Sequence, residues 1–148
     1  MNALAAAVTF VWLGMVIAIS FLEAPLKFRA PGITLPLGLG IGRLVFRGLN
    51  AVEVVLAAVL TCAVATDPPG PIPLAGIGLA VSVLIVQLVV VRPRLQRRSD
   101  AVLAAQSAPL GGMIGRSSAH FAYAGLEVIK VAALLTAGIA VQVALAAG

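Results

Sequence analysis

LVFRGLNAVEVVLAAVLTCAVA, residues 44–65, is apolar along nearly its whole length, interrupted chiefly by Arg47, Asn50 and Glu53. About 20 helical residues cross the roughly 30 Å of hydrocarbon in a bilayer, so the run is long enough to span. A spanning segment must satisfy its own backbone hydrogen bonds, as a helix or as part of a closed barrel. The run lacks the two-residue alternation of a barrel strand, which leaves the helix. Three more segments read alike, at about residues 4–23, 74–91 and 119–147. The expected fold is all-α: one domain over residues 1–148, an integral membrane antiparallel four-helix bundle in the cell membrane.

Composition agrees with that reading. Of 148 residues, 61% are hydrophobic and only 10% charged, against about 25% charged in soluble domains. Mean hydropathy is +1.14. The net charge of +5 is not arranged as a basic stripe with interleaved aromatics, so nucleic acid is not an expected partner. The single Cys62 allows neither an internal disulfide nor a cysteine-based zinc site. The first apolar segment does not read as a signal peptide, because it has no basic n-region and no clear small-x-small site before its charged end.

The basic residues give the orientation. Lys27, Arg29, Arg43 and Arg47 lie between the first two helices, and Arg92, Arg94, Arg97, Arg98 and Arg116 between the last two. The intervening TDPPGPIP has none. By the positive-inside rule both basic connections are cytoplasmic, and both termini lie outside. The arginines at 92, 94, 97 and 98 are also expected to meet anionic lipid. Residues 25–42, PLKFRAPGITLPLGLGIG, are apolar yet broken by Pro25, Pro31, Pro36 and glycines. They read as a short Pro/Gly-rich interfacial or partly re-entrant connection, or else as an apolar surface loop. The third helix is expected to run on through RPRLQRRSD, with SAPLGGMIG turning the chain back. Gly76 and Ala80 offer close helix packing or self-association, so a homo-oligomer or a membrane-protein partner is an expected assembly.

An ionisable side chain in hydrocarbon costs several kcal/mol, so each needs a partner or a purpose. Glu53 lies ten residues beyond Arg43 and Glu127 eleven beyond Arg116, which puts both about 15 Å from a cytoplasmic arginine at 1.5 Å per residue. Arg47, Asn50 and Glu53 form a drifting polar stripe, His120 and Glu127 share a helix face, and Lys130 follows Glu127 at i+3. Gln87 is placed to join them, and Glu23 closes the first helix, paired with Lys27. The expected ligand- or ion-binding set is Glu53, Glu127, His120, Lys130, Glu23, Asn50 and Arg47. Against it stands a plain structural reading. Glu127 and Lys130 neutralise each other within one helix, Glu53 is protonated or partnered from outside its own helix, and His120 packs near the interface.

No catalytic residue is indicated. HExxH, phosphate-loop, dinucleotide and nucleophile-elbow patterns are missing, and Ser118 and His120 do not face each other on a helix. Three glutamates and a histidine in a four-helix bundle suggest a di-metal carboxylate site, but the diagnostic Glu-x-x-His spacing is absent. Metal and cofactor are left open.

Residues 12–46, WLGMVIAISFLEAPLKFRAPGITLPLGLGIGRLVF, carry Trp12, Gly14, Phe28, Arg29, Pro31, Gly42 and Phe46. Together with Arg116 and His120, this pattern resembles the small four-helix membrane family of transmembrane protein 205-like proteins. The resemblance covers about half the chain and implies a four-helix integral membrane protein; it carries no activity. Two function classes follow from the residues. One is a polar site that binds or transports protons, a cation or a small ligand. The other is an accessory or scaffold subunit whose buried charges pair helices or dock a partner.

Overall fold

A computed structural model describes residues 2–97, 100 and 118–147. All regular structure among them is helical. Four helices are long and apolar enough to cross a membrane. We label them α1 (Asn2–Arg29), α2 (Leu35–Thr66), α3 (Pro71–Arg97) and α4 (Ser118–Ala147). The segment SAPLGGMIG and the side chains of Arg98, Arg116 and His120 lie outside the described residues.

The connection between α1 and α2 differs from the expectation. Most of residues 25–42 is helical, and only residues 30–34 separate the two helices. Glu23 therefore lies inside α1 and does not end it. The prolines are accommodated in three ways. Pro25 follows a π-helical turn, Ile17–Glu23, in which the Ala24 amide reaches back to the Ile19 carbonyl. This wider turn relieves the clash that proline makes in a regular helix. Pro31 lies in the turn itself, beside Gly32 at φ 79°. Pro36 occupies the first turn of α2, where its missing amide costs nothing, and Thr34 caps that turn by accepting from the Leu37 amide at 3.4 Å. At the other end of α2, Pro68, Pro69 and Gly70 (φ 91°) reverse the chain, and Pro71 opens α3.

Burial recurs at helical spacing. Leu49, Glu53, Ala57 and Leu60 are buried on α2, Ile77, Ala80, Leu84 and Gln87 on α3, and Lys130, Leu134, Ala137 and Val141 on α4. All four helices contribute to one apolar core around Trp12, Leu60, Leu84 and Leu134. Helix α4 packs mainly on α3 and α1, and α1 also packs on α2. The outward faces are apolar as well: Leu44 is 70% exposed and Val89 68%, whereas Glu53 and Lys130 are 0% exposed. This is the reverse of a water-facing surface. Several hydroxyls on these helices bond to the carbonyl one turn back, as in Thr9 to Ala5, Thr61 to Ala57, Ser82 to Gly78 and Thr136 to Ala132, and so present no bare polar group.

The backbones of α3 and α4 approach closely at Gly76. A Cβ at Gly76 would stand 2.9 Å from the Ala133 carbonyl oxygen and 3.0 Å from the Ala137 Cβ, whereas one at Gly78 would meet open space. Backbone cannot yield as a flexible side chain can. Gly76→Ala is therefore expected to lower stability by about 1–3 kcal/mol. Gly78→Ala should leave stability unchanged or slightly raised, with thermal unfolding in mild detergent as the measurement.

Candidate functional site

Each helix contributes at least one polar side chain to a single buried cluster. Lys130, fully buried on α4, is its centre. Its ammonium contacts Glu53 Oε1 of α2 at 2.5 Å and donates to Gln87 Oε1 of α3 at 2.8 Å and Glu127 Oε1 of its own helix at 3.3 Å. An ammonium has three donors, and three acceptors surround this one. Gln87 closes the ring, its Nε2 donating to Glu127 Oε1 at 3.1 Å. The indole of Trp12 on α1 donates to Glu53 Oε1 at 2.9 Å. Gln87 begins a second π-helical turn, Gln87–Val91.

The cluster is short of positive charge and of donors. Two carboxylates face one ammonium. Glu53 Oε2, Glu127 Oε2 and the Asn50 Oδ1 are buried without a hydrogen-bond partner, although Glu127 Oε2 lies 3.3 Å from the ammonium. The Tyr123 hydroxyl, one turn before Glu127 and facing its carboxylate, is also buried without a well-formed bond. A proton, a water molecule or a small cation would supply what these oxygens lack.

Of the residues expected from sequence, Glu53, Glu127 and Lys130 come together, and Asn50 is buried on the same face of α2. Arg47 is exposed and makes none of the cluster's described contacts. Glu23 is apart from the cluster, bonded to Lys27 at 3.3 Å. The side chain of His120 lies outside the described residues. Two participants were missed. Trp12 had a readable signal, since a buried indole N–H needs an acceptor and the chain's lone tryptophan stands mid-helix. Tyr123 had a weaker one, four residues before Glu127 on the same face. Among the described residues, no three His, Cys, Asp or Glu side chains converge as metal ligands.

At the end of the helices where the basic residues lie, further contacts join them. Arg43 bonds to the Gln96 carbonyl and pairs with Asp100. Lys27 Nζ lies 5.5 Å from the centre of the Phe46 ring, which packs edge-on against Tyr123 at 5.6 Å. Comparisons with protein-family models, curated proteins and solved structures return no match.

Removing one partner of a buried ion pair costs about 3–5 kcal/mol, because the remaining charge is stranded. Lys130→Met is therefore expected to destabilise by this amount in detergent unfolding. Adding Glu53→Gln and Glu127→Gln to Lys130→Met should recover most of the loss, because no charge is then left unpaired.

Proposed function

We propose that this chain is a multi-pass integral membrane protein that binds and releases a proton at the Glu53–Lys130–Glu127 cluster. The observation that carries the reading is the excess of one buried carboxylate over the one buried ammonium. A lone charge in hydrocarbon costs several kcal/mol, and one proton on either carboxylate removes it without needing a cavity. The two glutamates then act as one site, since both face the same Lys130 ammonium.

An antiparallel bundle in the cell membrane fits the contacts. Gln87 meets Glu127 and Lys130, whereas Gly76, earlier on α3, meets Ala133 and Ala137, later on α4. The contacts joining Lys27, Phe46, Tyr123, Arg43 and Gln96 gather the basic residues at one end. By the positive-inside rule this end is cytoplasmic and both termini are outside, with Arg92, Arg94 and Arg97 placed to meet anionic lipid. Kinship with transmembrane protein 205-like proteins is compatible with this architecture and adds no activity.

The second reading is an accessory subunit in which the cluster only staples four helices. It is favoured by the complete use of the Lys130 donors. Trp12, the only tryptophan and a direct donor to Glu53, separates the two. Its emission should shift to the blue on acidification as the indole loses a charged acceptor. The shift should vanish in Glu53→Gln and change its midpoint in Glu127→Gln. A pH-independent emission in the folded wild type leaves the staple as the better reading. A midpoint that moves with sodium, at constant ionic strength set by choline, would identify an alkali cation as the competing occupant.

A further inference from the structure

The cluster's surroundings are unequal along the helix axes. Away from the basic end, the core next to the cluster is apolar, with Leu60, Ile77, Ala80, Leu134 and Ala137 buried and Thr9 bonded to its own helix. Among the described residues, a buried unsatisfied atom recurs on that side only at the far terminus of α1, at Asn2 Oδ1. Towards the basic end the buried polar atoms are unsatisfied: Ser20 Oγ on α1, Asn50 Oδ1 on α2 and the Tyr123 hydroxyl on α4. Ser20 stands in the π-helical turn, which packs against both α2 and α4. The hydroxyls of Thr9, Thr61, Ser82 and Thr136 reach a carbonyl one turn back, and that of Ser20 does not. Buried groups of this kind are met by water when water can enter. Beyond them lies the Phe46–Tyr123 ring pair, with Lys27 against Phe46 and bonded to Glu23. A Cβ at Gly42 would stand 2.9 Å from Lys27 Nζ, so glycine there lets the ammonium lie against α2.

We infer that protons reach the Glu53–Lys130–Glu127 cluster from the basic end alone, through the Tyr123 hydroxyl, and that Phe46 and Lys27 close this entrance. The inference rests on the proton-binding reading of the cluster. In the transfer, the Tyr123 O–H bond breaks as its proton passes to a Glu127 carboxylate oxygen. A hydronium ion on the basic-end side of Tyr123 gives a proton to the phenol oxygen and becomes water. Tyr123 is unchanged, and the cluster gains one proton. The charged and titratable groups that face this path are Glu23 and Lys27 from α1, Glu53 from α2, Arg92 from α3, and Glu127 and Lys130 from α4. Arg43 is engaged with Asp100 and the Gln96 carbonyl at the outer rim.

The test is stopped-flow Trp12 emission after a pH jump, with wild type, Tyr123→Phe and Phe46→Ala in sealed vesicles of known orientation. Tyr123→Phe should slow the response at least tenfold, and a jump that ends well below the midpoint should still reach full size because both glutamates are intact. Phe46→Ala should speed it, and a jump applied at the basic end should act faster than one at the opposite end. Ser20→Cys, with Cys62→Ser, is a near-isosteric companion. It should react with a small impermeant thiol reagent from the basic end only. An unchanged rate in Tyr123→Phe, an equally fast response from the opposite end, or Ser20→Cys reacting from that end would each overturn the inference. If wild-type emission responds to pH but ignores Tyr123, only the route fails. If it does not respond at all, the proton-binding reading fails and the route with it.

Discussion

The Lys130 ammonium stands between two carboxylates and an amide, and the rest of the structure is arranged to make that position tolerable. Its partners come from α2, α3 and α4, and the Trp12 indole of α1 anchors one of the carboxylates. None of these groups is stable in an apolar interior alone, since each lost partner strands a desolvated charge or dipole. The cluster thus sets the rotation of every helix about its own axis. Turning α4 by one residue, about 100°, would carry Lys130 off the axis and place Ile129 or Val131 against the carboxylates.

Such a centre needs helices that come close and an exterior that asks for no water. Gly76 lets α3 approach the α4 backbone, and Gly138 leaves room for the ring of Phe10. Outside, Val11, Leu44, Val55, Ile72, Val89 and Val143 face outward on the four helices. In water this surface would drive aggregation, whereas in the proposed bilayer it is the matched surface, and the burial of charge is what demands explanation. Thr9, Thr61, Ser82 and Thr136 obey the same constraint by bonding within their own helices.

Sequence was informative wherever a single segment carries the signal. The four helices follow from length and hydropathy, and Glu53, Glu127 and Lys130 stand out because ionisable groups in apolar runs are rare. The ends of α1 and α2 were misread because proline and glycine were taken as breakers. Pro25 is relieved by a π-helical turn and Pro36 needs no amide where it stands, and neither condition is visible in local composition. The partners of Glu53 were not legible either. Its ammonium comes from a residue 77 positions later and its indole from one 41 positions earlier, and one-dimensional spacing says nothing about register between helices. Arg47, which spacing joined to Asn50 and Glu53, has drifted to an exposed face, because two steps of three residues lag the helical period by about 120°.

A cluster selected only to hold helices together would have a simpler composition. One glutamate and one lysine, hydrogen-bonded by Gln87 and Trp12, would be neutral and satisfied, and an apolar replacement would often be as stable. The second carboxylate adds a desolvated charge and leaves oxygens on Glu53 and Glu127 without partners, so it weakens the staple it belongs to. Natural cores tolerate such a cost where the group does something besides packing. The unsatisfied atoms nearest the cluster are also unevenly placed, since Ser20, Asn50 and Tyr123 lie towards the basic end, whereas on the other side the Asn2 Oδ1 stands at the far terminus of α1. An excess charge that one proton removes, reached from one side through groups able to relay it, joins these two irregularities in one explanation. The purely structural reading needs a separate explanation for each.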